Sequence, residues 1–462
     1  MSDNNKSQGG SLGMVACVAI LVGGMIGSAI FSLSGMTMYY AGPASILSWA
    51  IAAVVMGMYG MQIAELSTIY PRSGGVFVFP AKALGKTEKQ GRVWGFLSAW
   101  GYIISNVIAV AFSAIYVATY MGVGFPTIFG DAEGVHTKQI LFAVIAVLIC
   151  MALNLIKITD AGKFNNVLVG GLVITMLVYI VVAFTSGQWD AKLFVPVFTQ
   201  GAQGPAGFLS AIPTAMVGYG SCVAIAFMVS EVKNPNRTVP KSLIISLIIV
   251  VALYLLVIVS TLGLITAQML IDTPFFRFIP LFAAAFTKLT AIPWLSQLIS
   301  ISALLALITT MLVVLALNAR AMAAVAEDGL LPKVFAKQNR NNVPATATIV
   351  TAGIAIVLCF FPGLTEILVN MGALFAAITI AINCVSLLQA RKKHTRIDGE
   401  YRAPGGSIMP IVTLIILVIC YIPGILTGGG GLWIFTIVSY AIGLAIMLVM
   451  MKLNDKADAP KA

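Results

Sequence analysis

Apolar residues fill twelve long stretches of the chain, each closed by a short polar or charged break. They cover roughly 11–36, 43–69, 93–121, 139–156, 164–185, 208–229, 242–267, 294–319, 345–361, 364–388, 409–426 and 432–451. A helix of about 20 apolar residues crosses a bilayer core. The pattern therefore predicts an all-α integral membrane protein with twelve transmembrane helices. Several stretches contain Gly or Pro, which membrane helices tolerate.

Composition sharpens this. Of 462 residues, 60% are hydrophobic and 9% charged, with a mean hydropathy of +1.00. Soluble chains carry roughly 25% charged residues. The formal net charge of +11 raises the question of nucleic acid, and its placement answers it. With the N-terminus inside and alternating loops, 23 of the 27 Lys and Arg fall on the inner side. Only Lys138, Lys192, Arg277 and Lys288 fall outside. This is the positive-inside asymmetry of an integral plasma-membrane protein with both termini cytoplasmic, or of a bacterial inner-membrane one. The expected partners are the lipid bilayer and a small molecule, not nucleic acid, and the chain is read as a monomer or homodimer. The first ten residues are polar and the first apolar stretch is too long for a signal-peptide core, so no cleavage is expected.

The six cysteines lie in apolar stretches without paired spacing and read as small buried side chains. No metal-ligand cluster, nucleophile motif or phosphate-binding loop is present in the sequence, so no cofactor, metal or enzymatic activity is expected. No Asp or Glu falls near a predicted bilayer midplane, where a carboxylate relay would need one. A carrier, a channel or a receptor-like scaffold remains, and twelve helices with short loops favour a carrier.

The first stretch contains GGMIGSAIF, residues 23–31. Gly23 and Gly27 form a GxxxG, which lets membrane helices approach closely. The alternative is that the backbone unwinds near Ile26-Gly27-Ser28-Ala29, exposing polar groups to a cavity. The sixth stretch repeats the feature, with Gly218, Gly220 and Ser221 near its middle. With five helices per half, the two interruptions occupy matching places in opposite orientation, the arrangement of an inverted-repeat carrier. Where a helix resumes, its first amides lack partners and carry positive partial charge. Amides at Gly27, Ser28 and Ala29 would hold a carboxylate. Carbonyls ending near Gly24, Met25 and Ile26, and near Met216, Val217 and Gly218, would hold an ammonium. A zwitterion then binds without any charged side chain.

Three further segments, AELSTIYPRSGG (64–75), SEVKNPNRTVPKS (230–242) and ARAMAAVAEDGLLPKVFAK (319–337), resemble cytoplasmic-loop signatures of the amino acid–polyamine–organocation transporter superfamily. With the two Gly-rich breaks, the resemblance spans most of the chain. It implies the leucine-transporter fold and alternating access. The expected units are a tail (1–10), a first five-helix repeat (11–186), a second, inverted repeat (207–389), helices 11 and 12 (407–452) and a tail (453–462).

The resemblance also implies site residues. Gly27-Ser28-Ala29 matches the family's glycine-serine-glycine carboxylate site, departing at Ala29. Val217 stands where many members place a gating aromatic, with Tyr219 beside it able to share that work. Val223 stands where arginine and polyamine antiporters carry a glutamate, which favours a neutral amino acid. Asn106, in SNVIAVAFSAIY, matches a substrate-site asparagine of the basic-amino-acid antiporters, or is interhelical glue. Leu172 occupies the place of a proton-coupling lysine, so that mechanism is not supported. Thr309 and Thr310 offer sodium oxygens or bond their own backbone.

The expected substrate-binding set is thus Met25, Ile26, Gly27, Ser28, Ala29, Asn106, Val217, Gly218, Tyr219, Gly220 and Val223. Glu65, Glu231 and Arg320 are the expected cytoplasmic gate, and Arg391-Lys392-Lys393 a topology anchor near anionic lipid. The reading is an antiporter of a small, neutral amino acid. A proton- or sodium-coupled symporter is the alternative within the class, and a non-transporting amino acid sensor the alternative outside it.

Overall fold

A computed structural model describes residues 12–71, 74–126, 135–156, 161–227, 232–395, 397, 400–426 and 430–457 of the chain. In order, the helices are α1 (Met14–Met25), α2 (Ser28–Ala41), α3 (Ser45–Ile69), α4 (Gly75–Ala83), α5 (Glu88–Gly124), α6 (Val135–Leu155), α7 (Ala161–Thr185) and α8 (Gly207–Gly218). A 3₁₀ helix, Gly220–Phe227, follows directly. Then come α9 (Pro235–Leu262), α10 (Ala267–Asp272), α11 (Pro280–Lys288), α12 (Pro293–Glu327), α13 (Ala345–Cys359), α14 (Thr365–Lys393), α15 (Ile408–Leu426) and α16 (Gly430–Ala457). Extended pairing among the described residues is limited to two isolated bridges, Leu12 with Val232 and Gln338 with Pro344. Eight helical stretches among the described residues are long and apolar enough to cross a membrane, and three shorter apolar helices accompany them.

Several elements outrun their apolar stretches, for local reasons. α5 starts at Glu88, five residues before the expected boundary, because the Thr87 side chain accepts the Gln90 N–H and caps it. α12 continues through Arg320 to Glu327 instead of ending at Ala319. It stops where Gly329 takes a left-handed φ of +77° and Leu330 N–H returns to the Val325 carbonyl. The segment after α9, expected as a loop, folds into α10 and α11.

The two ends of the bundle differ. At the end that carries Arg92, Asp328 and Asn454, here called basal, Glu65 is 3% exposed and faces Arg391. Arg391 Nε donates to Glu65 Oε1 at 2.7 Å, its Nη2 to Oε2, and Ala403 N–H adds a third donor at 2.8 Å. Burial, and then the Glu65 carboxylate, push the neighbouring Tyr401 phenol up and keep it neutral. A more exposed pair joins Arg92 to Asp328 at 2.6 Å. Arg391, expected to be a lipid anchor, is therefore the partner of Glu65. Arg320, expected in the gate, is exposed and pairs with no acid among the described residues. Glu231, the remaining gate candidate, lies outside the described residues, as does Arg72.

At the opposite, distal end, Tyr40 donates to Glu366 Oε1 at 2.7 Å and accepts from Asn370 Nδ2 at 3.2 Å. The Arg277 guanidinium lies 3.6 Å from the Tyr39 ring centroid. A Cβ on Gly35 would sit 2.2 Å from the Arg277 carbonyl, so the α10–α11 segment rests directly on α2. Nearly all of α2 is buried, whereas more than half of α1 is at most partly buried and Val15 is 83% exposed.

The basal pair carries a test. Glu65→Ala leaves the Arg391 cation buried without its counter-charge, and ~3–5 kcal/mol of stability should be lost. Melting of the purified protein should show this loss and its recovery in a Glu65→Leu/Arg391→Leu double variant. Losses that simply add would overturn the assignment.

Candidate functional site

The helix of the first apolar stretch breaks. α1 ends at Met25 and α2 begins at Ser28, with Ile26 and Gly27 between them. In an unbroken helix, the Gly27 and Ser28 N–H groups would donate to the Gly23 and Gly24 carbonyls. Here Gly27 N–H donates to Met25 O at 2.8 Å, and Ser28 N–H donates to Thr310 Oγ1 at 3.0 Å. The Gly23 and Gly24 carbonyls thereby lose their helical donors. The Thr310 hydroxyl also donates to its own Ala306 carbonyl at 2.8 Å. It thus does two things at once: it bonds its own backbone and holds the first amide of α2.

The sixth stretch breaks more gently. α8 ends at Gly218 and the chain tightens to a 3₁₀ helix at Gly220. Tyr219 N–H returns to Met216 O at 3.0 Å and Cys222 N–H to Tyr219 O at 3.0 Å. The two breaks touch. A Cβ on Gly24 would lie 3.0 Å from Ser221 Cβ, and one on Gly218 would lie 3.3 Å from Ala29 Cβ. Advancing from Gly24 to Ala29 meets the partner segment backwards, from Ser221 to Gly218, so the two segments cross antiparallel.

An aromatic group braces the crossing. Trp49 packs edge-on to Tyr254 at 5.2 Å and to Tyr219 at 5.7 Å, and the two tyrosines lie 5.5 Å apart. Trp49 Nε1 donates to Thr37 Oγ1 at 2.8 Å, and the Tyr254 hydroxyl donates to the Met25 carbonyl.

Beside the crossing lies a cavity of about 130 Å³. Met25, Gly27, Ser28, Ala29, Asn106, Val217, Gly218, Gly220 and Val223 all line it. Two expected residues do not. Ile26 and Tyr219 are fully buried away from it, and the Tyr219 hydroxyl reaches the Trp49 carbonyl at 3.4 Å. Leu172 is buried outside the lining as well. The Asn106 Nδ2 is buried, with the Tyr102 hydroxyl one turn back as its side-chain neighbour. Sequence reasoning missed Tyr59, Tyr102, Thr379 and Tyr421, which also line the cavity, as does Thr310, considered there only for sodium or its own backbone. Their one signal was a hydroxyl in the middle of an apolar stretch.

No Asp, Glu, Lys, Arg or His is among the lining residues. The polar groups on offer are backbone dipoles, hydroxyls and one amide. Ala29 and Ile30 lie in the first turn of α2, where N–H groups have no carbonyl one turn back. Distally, α2 is buried along nearly all its length and Tyr40 is bonded to Glu366. Along the running direction of their helices, Tyr59, Tyr102, Leu317 and Ile380 extend the lining towards the basal end.

The sequence pattern of the family described as amino acid permease matches residues 12–451. The chain belongs to that family. It is a membrane permease of the amino acid–polyamine–organocation superfamily, not an enzyme. The permease is similar to the branched-chain amino acid permease BcaP of Bacillus subtilis, with 27% identity covering 98% of this chain and 95% of the relative. It is also similar to the methylthioribose transporter of Bacillus subtilis, with 28% identity over 88% of this chain and 87% of the relative. A third relative is the cationic amino acid transporter 3, mitochondrial, of Arabidopsis thaliana, with 29% identity over 79% of this chain and 60% of the relative.

The break predicts a coupling. A Cβ on Gly27 would stand 2.1 Å from Thr310 Oγ1 but 3.4 Å from its Cβ. Gly27→Ala should lower the stability of the permease by ~1–3 kcal/mol, the usual cost of overpacking. Adding Thr310→Ala should restore part of it. Melting curves of the single and double variants check this, and a double variant no better than Gly27→Ala would refute the contact.

Proposed function

We propose that this permease is a secondary transporter moving a small, neutral amino acid across the plasma membrane by alternating access, in exchange for a second amino acid or an amine. The observation that carries this is the cavity where two antiparallel helix breaks meet, lined by no ionisable acid or base apart from tyrosine hydroxyls. The substrate carboxylate sits at the first-turn amides of α2, from Ser28 to Ile30, at the positive end of that helix. Its ammonium faces the Gly24, Val217 and Gly218 carbonyls. The Asn106 amide supplies a further donor.

Thr310 occupies the Ser28 amide when no substrate is bound and yields it when a carboxylate arrives. A buried N–H is thus never left unpaired. The side chain of the substrate lies against Val217, Val223 and the apolar lining. A second cationic group would find no counter-charge there, which favours a neutral substrate.

The basal face is cytoplasmic in this reading, because the inner-side segments hold 23 of the 27 basic residues. The conformation is then closed to the outside by α2, Tyr40 and Glu366. Twelve membrane crossings, in two inverted five-helix repeats (11–186 and 207–389) followed by helices 11 and 12, accommodate the antiparallel crossing of the two breaks. The Glu65–Arg391 pair holds α3 to α14 on the cytoplasmic side, where it biases the two-state equilibrium.

Proteoliposomes test the reading. Uptake of a labelled neutral amino acid should require unlabelled amino acid or amine inside. Uptake into empty vesicles driven by a proton or sodium gradient would overturn exchange, and binding without flux would overturn transport.

Val223→Glu places a carboxylate in the lining. It should shift competition for uptake towards amino acids with a second cationic group. Unchanged selectivity would show that position 223 does not face the substrate side chain.

A further inference from the structure

A second cavity, of about 600 Å³, lies at the basal end between α4, α5 and α14. It is separate from the site at the helix breaks, and no residue lines both. Its wall is divided by chemistry. Trp94, Ile382 and Val385 supply apolar surface, with Trp94 43% and Val385 38% exposed. Lys86, Lys393 and Gln389 supply the polar end, and no acidic residue lines it.

The polar end is built. Lys393 Nζ donates to the Ala83 carbonyl at 3.0 Å and the Gly85 carbonyl at 2.9 Å, which fixes the ammonium at the mouth. An ammonium has three donors, so one is left over. Lys86 follows Gly85, whose left-handed φ of +84° makes the turn, and its N–H is held by Gln90 Oε1 at 2.9 Å. Lys82, Lys89 and Lys392 are exposed on the flanking segments; of the acids described nearby, Glu88 is exposed and Glu400 is taken up by His394 at 3.0 Å.

The dimensions match one membrane leaflet. From Ile382 to Lys393 the helix rises about 16 Å at 1.5 Å per residue. Half of a hydrocarbon core of about 30 Å is nearly the same. Cations at the rim, an interfacial tryptophan and an apolar floor reaching towards the bilayer centre are complementary to an amphiphile with a negative head.

We propose that this groove binds an anionic phospholipid. Its phosphate lies at Lys86 and Lys393, and one acyl chain lies along Trp94, Ile382 and Val385. The site goes beyond the transport reading and does not depend on which solute is carried. Its occupant would bridge α4 and α5 to the last turns of α14, the helix that carries Arg391.

Native mass spectrometry of the full-length permease in detergent tests this with phosphatidylglycerol, phosphatidylcholine and glycerol phosphate as probes. The expected result is retention of phosphatidylglycerol over phosphatidylcholine, with no retention of glycerol phosphate. Lys86→Gln should weaken retention about fivefold, the factor for ~1 kcal/mol per basic residue near an anionic surface. Val385→Trp should weaken it by filling the groove. Lys288→Gln, at the distal end, should leave it unchanged. Lipid-free melting of the three variants should match the parent, which separates loss of the site from loss of the fold. Equal retention of both phospholipids would overturn the proposal. So would unchanged retention in both groove variants, retention of glycerol phosphate alone, or a change in oligomer mass on groove substitution with lipid binding unaltered.

Discussion

A backbone amide or carbonyl inside a membrane has no water to turn to. An interrupted helix must therefore find a protein partner for each group it releases, or line a polar cavity. The Ile26–Gly27 break answers group by group. Gly27 N–H folds back to Met25, Ser28 N–H crosses to Thr310, and the Met25 carbonyl also accepts from Tyr254. The groups still unpaired, chiefly the Gly24 carbonyl and the next amides of α2, border the cavity. Thr310 on α12 and Tyr254 on α9 meet this requirement, and Trp49 on α3 packs against Tyr254. Residue 27 has no side chain, and Thr310 approaches it too closely to allow a Cβ.

The break and the pore-side glycines were readable in the sequence because they interrupt a strong local pattern. Gly27 and Gly218 stand out within apolar stretches, and the interruptions fall where the chain does change conformation. The partners were not readable. Ser28 and Thr310 are separated by 282 residues, and Glu65 and Arg391 by 326. Nothing local marks one threonine among many as the one that turns towards a broken helix. Arg391 sits in a run of three basic residues that topology alone explains, so its buried partner left no trace. At Arg320 the apolar pattern marked the wrong helix end. A charge ends an apolar stretch, but it does not end a helix, and α12 continues two turns further to Gly329. Tyr219 shows a finer limit: adjacency to a glycine break does not say which way a ring points, and here it packs into the aromatic brace.

The relatives carry names that span branched-chain and cationic amino acids and a methylthioribose. One scaffold with such a range fits a division of labour in the cavity. In the reading proposed above, backbone dipoles at the breaks recognise the carboxylate and ammonium that amino acids share and that methylthioribose lacks. A small number of side chains, Val217, Val223, Asn106 and the tyrosines among them, face what differs. The first set is fixed by the fold, because moving an amide means rebuilding a helix. The second can change one residue at a time.

The unequal burial of the two halves of the first helix has a mechanical meaning. α2 is clamped along almost its full length, while more than half of α1 is at most partly buried. Between them the helical hydrogen-bond ladder is interrupted for two residues, so bending there stretches no α-helical bond. α1 is then a lever and Ile26–Gly27 its fulcrum, with α2 as the fixed mount. In such a lever the stiff arm keeps the register of the binding amides. In the transport reading proposed above, α1 is the arm that moves at this hinge, and the amides of α2 that receive the substrate keep their register.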